Sequence, residues 1–276
     1  MPDAPPFHAR LLDPMDRDAA AALAVAAGSH GVYVANHLAE IDGDGDVLAL
    51  YGADEILGVC YFGRRGNLVV VERVPLSPRS VAAAIASSWY GWRIVLGPAD
   101  VVATLAARES KPPIVHRTQL YYRMRPTEHT KALVRDDVRP ASPRDHDALI
   151  RAALDLNEAD LHIDPRRVHR TWLAETVDRR IETGSTWVLG EPGRPVAKLD
   201  LGSVGPAGLV VEGVYTRPQA RGRGYAASLV ATTAARHDGL VPTVCLHVAE
   251  SNVPARRAYE RAGMQQDGEC ALMLRA

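Results

Sequence analysis

The chain has 276 residues, 47% of them hydrophobic and 24% charged, with 32 basic side chains against 33 acidic ones. That length favours two domains, and the apolar share can fill a sizeable core. A formal net charge of -1 gives no electrostatic reason to expect nucleic acid or an anionic membrane as a partner.

At the N-terminus, MPDAPPFHAR lacks the basic region and apolar core of a signal peptide. The apolar stretch Ala19–Ala27 is mostly alanine and too short to span a bilayer. Asp42, Asp44 and Asp46 alternate as in an EF-hand, but Val47 and Ala53 stand where that loop needs Gly and Glu, so DGDGD reads as a solvated turn. Val47–Tyr51 and Ile56–Phe62 then form two β-rich runs around a turn, and NLVVVERV is a further strand. A helix at Ser80–Ser88, the strand WRIVLG, a helical segment at Asp100–Glu109 and the strand TQLYYRM follow. The polar stretch Pro126–Asp136 marks the boundary between an N-terminal domain, residues 1–130, and a second domain, residues 131–276.

The second half repeats the plan. RDDVRPASP is a strand ending in a turn, Arg144–Leu156 has apolar residues at helical spacing, and a second helix runs over Pro165–Glu182 with Asp164 as its cap. STWVLGEPGRPVAKLDLG reads as a hairpin and GLVVEGVYT as a strand. A glycine-containing loop, a helix to His237, the strand PTVCLHV, a short helix and the strand ECALMLR complete it. NLVVVERV resembles GLVVEGVYT, and TQLYYRM resembles ECALMLR, which points to an old duplication. The copies differ after that shared strand: PLSPRS in the first, RPQARGRG in the second.

RPQARGRG lies between a strand and a helix. Gly222 and Gly224 let the backbone approach a ligand closely, successive amides at a helix start suit an anion, and Arg221 and Arg223 add positive charge. A pyrophosphate fits such a loop. A Walker loop would need Lys-Ser/Thr after its last glycine, and the dinucleotide fingerprint would need a third glycine.

Arg221-Gly222-Arg223-Gly224-Tyr225-Ala226 resembles the Arg/Gln-x-x-Gly-x-Gly/Ala signature of the GNAT superfamily of acyl-CoA N-acyltransferases. SNVPARRAYERAGM is similar to a second segment of that family, with Asn252, Ala255, Tyr259 and Gly263 on its positions and Met264 in place of the usual Phe. The resemblance covers Val134–Ala276. A weaker one, through GRRGNLV, LGPAD and RTQLYY, extends to tandem GNAT proteins whose N-terminal half is a degenerate copy. It implies an α/β (α+β) fold of two GNAT-like domains, each a mixed, mostly antiparallel sheet flanked by helices.

The resemblance also implies acetyl-CoA as co-substrate, bound by the amides of Arg221, Gly222, Arg223, Gly224, Tyr225 and Ala226, by the backbone of Val214, Tyr215 and Thr216, and by Asn252. It implies direct transfer to an amine, without a covalent acyl-enzyme. Tyr259 is then the acid that protonates the leaving thiolate. Glu212, a carboxylate inside an apolar strand, is the candidate base or amine ligand, although a salt-bridged Glu would look the same. His247 is the rival base. Asn157, Glu158, Asp160 and His162 are expected to line the acceptor pocket, and their acidity would suit a small cationic amine. Two other readings stay open: an acyl-CoA sensor without turnover, and acetylation of a protein lysine or N-terminus.

Cys60, Cys245 and Cys270 are too scattered for a disulfide framework or a metal site, so no metal is expected and a reducing, cytoplasmic setting is. Lysine occurs only at Lys111, Lys131 and Lys198, a bias that reads as codon usage before selection for phosphate contacts.

Overall fold

A computed structural model describes residues 5–40, 45–53, 55–64, 66–128 and 131–276. Asp42 and Asp44 of the acidic turn, the first four residues, and His129 and Thr130 of the expected linker lie outside the described residues. The chain divides into two units. One is Met1–Tyr121 with Gly205–Ala207 and Asp267–Ala276, and the other is Tyr122–Val204 with Gly208–Gln266.

The first unit contains β1 (His8–Leu11), α1 (Arg17–Ala26), α2 (Val32–Ala39), β2 (Gly45–Tyr51), β3 (Ile56–Gly63), β4 (Asn67–Glu72), α3 (Pro78–Ser87), β5 (Ile94–Gly97), α4 (Ala99–Ala106) and most of β6 (Val115–Met124). The second contains β7 (Val138–Pro140), α5 (His146–Leu161), α6 (Arg170–Glu182), β8 (Thr186–Leu189), β9 (Ala197–Gly205), β10 (Gly208–Thr216), α7 (Tyr225–Arg236), β11 (Val244–Ala249) and α8 (Val253–Arg261). The final strand, β12, is Gln265–Leu274.

Each unit has the predicted mixed sheet. In the first, β1 to β4 are successively antiparallel, and β4 pairs in parallel with β5 through Asn67↔Ile94, Leu68↔Val95 and Val69↔Leu96. In the second, β7, β8 and β9 are antiparallel, and β10 pairs in parallel with β11 through Leu209↔Val244 and Val210↔Cys245. The β-rich run of β3 is buried along its whole length, as a strand covered on both faces should be. Helix α7 is buried from Ala227 to Ala234, too broadly for a surface helix.

The expected division at residue 130 is corrected: the first unit ends at Tyr121, and residues 205–207 and 267–276 belong with it; the last of these is the largest change. The cause is pairing and packing. β12 runs antiparallel to β5 through Ala271↔Gly97 and Leu272↔Leu96, and Ala271 and Met273 fill the first unit's apolar cluster beside Leu68, Val70 and Val95.

Two helices also differ from expectation. Instead of one helix over Pro165–Glu182, a 3-10 turn at Pro165–Arg167 precedes α6. Asp164 caps only that turn, Val168 is extended, and the His169 ring accepts from the Trp172 amide to cap α6. Helix α5 continues past Leu156 to Leu161, so Asn157, Glu158 and Asp160 lie on its last turns rather than in a connection. It stops at His162, which takes φ 54.

The start of α5 is fixed by Asp145, which is completely buried. Burial pushes its carboxyl up, but hydrogen bonds from Arg139, the Ser142 amide and hydroxyl, and the Gly193 amide outweigh that and hold it well below the usual carboxylate range. A depressed folded pKa adds stability that is complete above the ordinary carboxylate pKa and is lost as pH falls through the folded one. Asp145→Asn should therefore cost about 3 kcal/mol at neutral pH by breaking a buried pair. Thermal melts of the two proteins should begin to converge below about pH 4, where the unfolded wild-type carboxyl protonates, and should meet only as pH falls through the depressed folded pKa.

Candidate functional site

β10 and β11 part after a short parallel ladder. Their ladder ends at Val210↔Cys245, yet β10 runs on through Val214 and Tyr215 to Thr216. Beyond Val210 no β10 residue is in register with β11 among the described residues. Tyr215 is buried and its hydroxyl donates to Asp155 on α5 at 2.6 Å, which ties the helix to this strand. Burial, with the Asp155 charge, pushes the phenol up to about 12.

At the end of β10, Pro218–Ala220 makes one 3-10 turn, and Arg221 returns its Nε to the Thr216 carbonyl at 3.2 Å. Gly222 and Gly224 take φ 76 and φ 80, the left-handed region that favours glycine. Helix α7 begins at Tyr225, and the Ser228 amide is the first to bond back, to Gly224 at 3.0 Å. The amides of Tyr225, Ala226 and Ala227 precede that bond and point out of the helix start. A Cβ on Gly222 would meet nothing within 4 Å, so the approach to these amides is open. Together the amides and Arg221, Arg223 suit a pyrophosphate.

Tyr259 sits on α8, which Asn252 caps by accepting from the Ala255 amide at 3.2 Å. The Met264 amide closes the helix on the Tyr259 carbonyl at 3.0 Å. The Tyr259 ring is buried, edge-on to Tyr122 at 6.3 Å. A buried tyrosine hydroxyl usually has a partner, but among the described residues none hydrogen-bonds this one. Burial holds the phenol well above its ordinary pKa, and the charge of Asp160 adds to that. The group keeps its proton at neutral pH.

Glu212 lies further back on β10, in an ionic cluster. Arg180 on α6 donates to Glu212 Oε1 and pairs with Asp200, and Lys198 binds Asp200 Oδ2 at 2.5 Å. Thr186 donates to Asp200 Oδ1 at 2.6 Å. The Glu212 side chain is 41% exposed, against 22% for Arg180 and 4% for Asp200, so the glutamate is the face this cluster presents.

The acetyltransferase (GNAT) family matches residues 148–264. This segment is a GNAT domain. Solved structures share the fold along nearly the whole chain. A GCN5-related N-acetyltransferase-like protein from Streptococcus suis superposes with TM-score 0.58 at 16% identity, over 95% of this chain and 100% of that one. A GCN5-related N-acetyltransferase from Sphaerobacter thermophilus gives 0.56 at 18% identity, over 97% and 94%. A tandem GNAT protein from the clavulanic acid biosynthesis pathway gives 0.51 at 12%, over 97% and 98%. A search of curated proteins gave no match. The fold supports acyl transfer, and GNAT acetyltransferases use acyl-CoA.

Within the GNAT domain, the predicted strand residues Val214 to Thr216 and loop residues Arg221 to Ala226 are joined by the 3-10 turn at Pro218–Ala220, and the Arg221 side chain bonds back to the Thr216 carbonyl. Tyr259 and Glu212 have separate surroundings: no hydrogen bond joins them. Of the expected acceptor residues, Glu158 and His162 line one depression with Asp164 and Arg166, whereas Asp160 acts on Tyr259 instead. His247 is half-buried between buried neighbours on β11. Sequence reading missed Lys198, Asp200, Arg180 and Asp155. Lys198 and Asp200 did carry a signal, two charges alternating inside the apolar run VAKLDLG; Arg180 carried none. No group of metal-ligating side chains occurs among the described residues, and no helix among them is long and apolar enough to cross a membrane.

Proposed function

We propose that this protein is an N-acetyltransferase that moves an acetyl group from acetyl-CoA to a primary amine of a small, cationic molecule by direct attack. The observation that carries the catalytic reading is the hydroxyl of Tyr259, protonated on a buried ring and without a hydrogen-bond partner among the described residues. A packing tyrosine would spend that hydroxyl on the protein.

In this reading the β10 edge pairs with the pantetheine arm, and the amides from Gly222 to Ala227 hold the pyrophosphate. Asn252 keeps its capping role and has its amide nitrogen left for the coenzyme. The acceptor amine, with a pKa near 10, arrives as an ammonium. Glu212 receives it with the carboxylate oxygen that Arg180 does not use, and accepts its proton directly or through water. The neutral amine attacks the acetyl carbonyl, the C–S bond breaks, Tyr259 gives its proton to the leaving thiolate, and the second proton shed by the attacking nitrogen returns through water to the Tyr259 phenolate, leaving the first on Glu212 for release to solvent.

The test of Glu212 is steady-state kinetics of Glu212→Gln on amine acceptors, following thiol release. As a base, its loss lowers turnover most at neutral pH, with partial recovery at high pH where more amine is neutral. As an amine ligand only, its loss raises KM and leaves kcat close to wild type. Values of both parameters near wild type would remove Glu212 from the site and favour His247. Protein that binds acetyl-CoA but acetylates neither amines nor peptides would favour the sensor reading; transfer to peptides alone would favour a protein acceptor.

A further inference from the structure

The cluster around Glu212 contains two cations, Arg180 and Lys198, and two anions, Asp200 and Glu212. Burying such a set costs desolvation energy that an apolar packing would avoid, so its value lies in position more than in stability. Lys198 and Asp200 are almost wholly buried, with 7% and 4% of their side chains exposed. Lys198 is also one of only three lysines in the chain.

Two glycines make room for this set. A Cβ on Gly213 would lie 2.6 Å from Asp200 Oδ2 and 2.7 Å from Lys198 Nζ. Gly213 also takes φ 58, in the left-handed region, which breaks the regular run of β10 directly after Glu212. A Cβ on Gly202 would lie 2.7 Å from Glu212 Oε2 and 2.8 Å from its Cδ. Alanine at either place would collide with a charged group. The side chain of Glu212 is therefore laid over Gly202 with Oε1 held by Arg180, while Oε2 has no hydrogen-bond partner among the described residues.

We propose that Arg180 is a positioning residue for Glu212: backed by Asp200 and Lys198, it fixes one carboxylate oxygen and leaves the other turned to a primary ammonium acceptor, on a seat kept clear by Gly202. The inference rests on the reading of Glu212 as the amine-facing carboxylate. It makes the acceptor's charge the selected feature. The two cations are already matched by the two anions, so the cluster has no surplus positive charge for an anionic acceptor, and its exposed member is a carboxylate.

The test uses the full chain with acetyl-CoA and a panel of butylamine, phenethylamine, putrescine and lysine amide, following thiol release. Arg180→Gln removes the grip and Arg180→Lys restores one charged donor. Gly202→Ala keeps every charge and moves the carboxylate. Arg180→Gln and Gly202→Ala should each raise the amine KM about tenfold, the effect of losing one charged hydrogen bond. Arg180→Lys should recover part of that, and calorimetry should give wild-type acetyl-CoA affinity throughout. Unchanged amine kinetics in Arg180→Gln and Gly202→Ala would overturn this inference alone. A loss of acetyl-CoA affinity in Arg180→Gln that lysine does not rescue, with Gly202→Ala kinetically normal, would mark the cluster as structural and also overturn it. Wild-type protein that binds acetyl-CoA yet releases no thiol with any amine would overturn the acetyltransferase reading and this inference with it.

Discussion

Tyr259→Phe should lower turnover by about 10²–10⁴-fold, the usual cost of losing a general acid, and leave acetyl-CoA affinity nearly unchanged. The substitution removes one oxygen. It keeps the ring that packs edge-on to Tyr122, and since no group among the described residues bonds the hydroxyl, no hydrogen bond to them is lost. The helix retains its cap at Asn252 and its closure at Met264. Stability should therefore hold. Single-turnover thiol release with coenzyme binding measured in parallel separates the outcomes. Turnover at the wild-type rate would make Tyr259 a packing residue and the mechanism wrong.

Gly224→Asp should abolish detectable acetyl-CoA binding, a fall of at least about 100-fold, or some 2.7 kcal/mol. The change puts a negative charge at the start of α7, where the proposed pyrophosphate meets the outward amides. A clash inside the protein is not the cause. The nearest atom to a Cβ on Gly224 is Arg261 Nη1, at 3.9 Å. Aspartate tolerates the left-handed region better than most residues and is a favourable N-cap, so the variant should stay folded. Gly224→Ala adds the strain without the charge and should lose less. Unchanged calorimetric affinity in the aspartate variant would move the coenzyme elsewhere.

The same titration should give one equivalent per chain. In the first unit, the ladder of β4 with β5 ends at Val69↔Leu96, but the next carbonyl, Val70, accepts from His30 Nε2 at 2.6 Å. Burial lowers the His30 pKa and keeps the ring neutral, so Nδ1 is left to accept from the Tyr121 hydroxyl at 2.9 Å. The backbone that β10 would offer is thus capped internally on β4. Two equivalents would refute this.

The sequence displayed the loop and the strand before it because glycine spacing and strand-to-helix punctuation are local. Asn252 and Gly263 were legible for the same reason, as the two ends of one short helix. The neighbourhood of Glu212 was not. Its partner Arg180 lies 32 residues away on another element, and only the fold brings the guanidinium onto that carboxylate. The break at Val168 was hidden because Pro165 and Asp164 are good helix starters that here begin only a single turn. The placement of β12 was equally invisible. TQLYYRM and ECALMLR looked like equivalent closing strands of two copies, and nothing in either segment says which sheet it joins.

That placement has a consequence for biosynthesis. The first unit's sheet needs β12 beside β5, and its apolar cluster needs Met273 and Ala271. A ribosome finishes residues 1–121 long before it reaches that strand. Until then the β12 side of β5 stays open, and Val95 and Leu68 have one wall missing. The degenerate half therefore cannot mature ahead of the GNAT segment, as an independent leading domain would. Losing the final ten residues would damage the half of the protein that lies furthest from them in sequence.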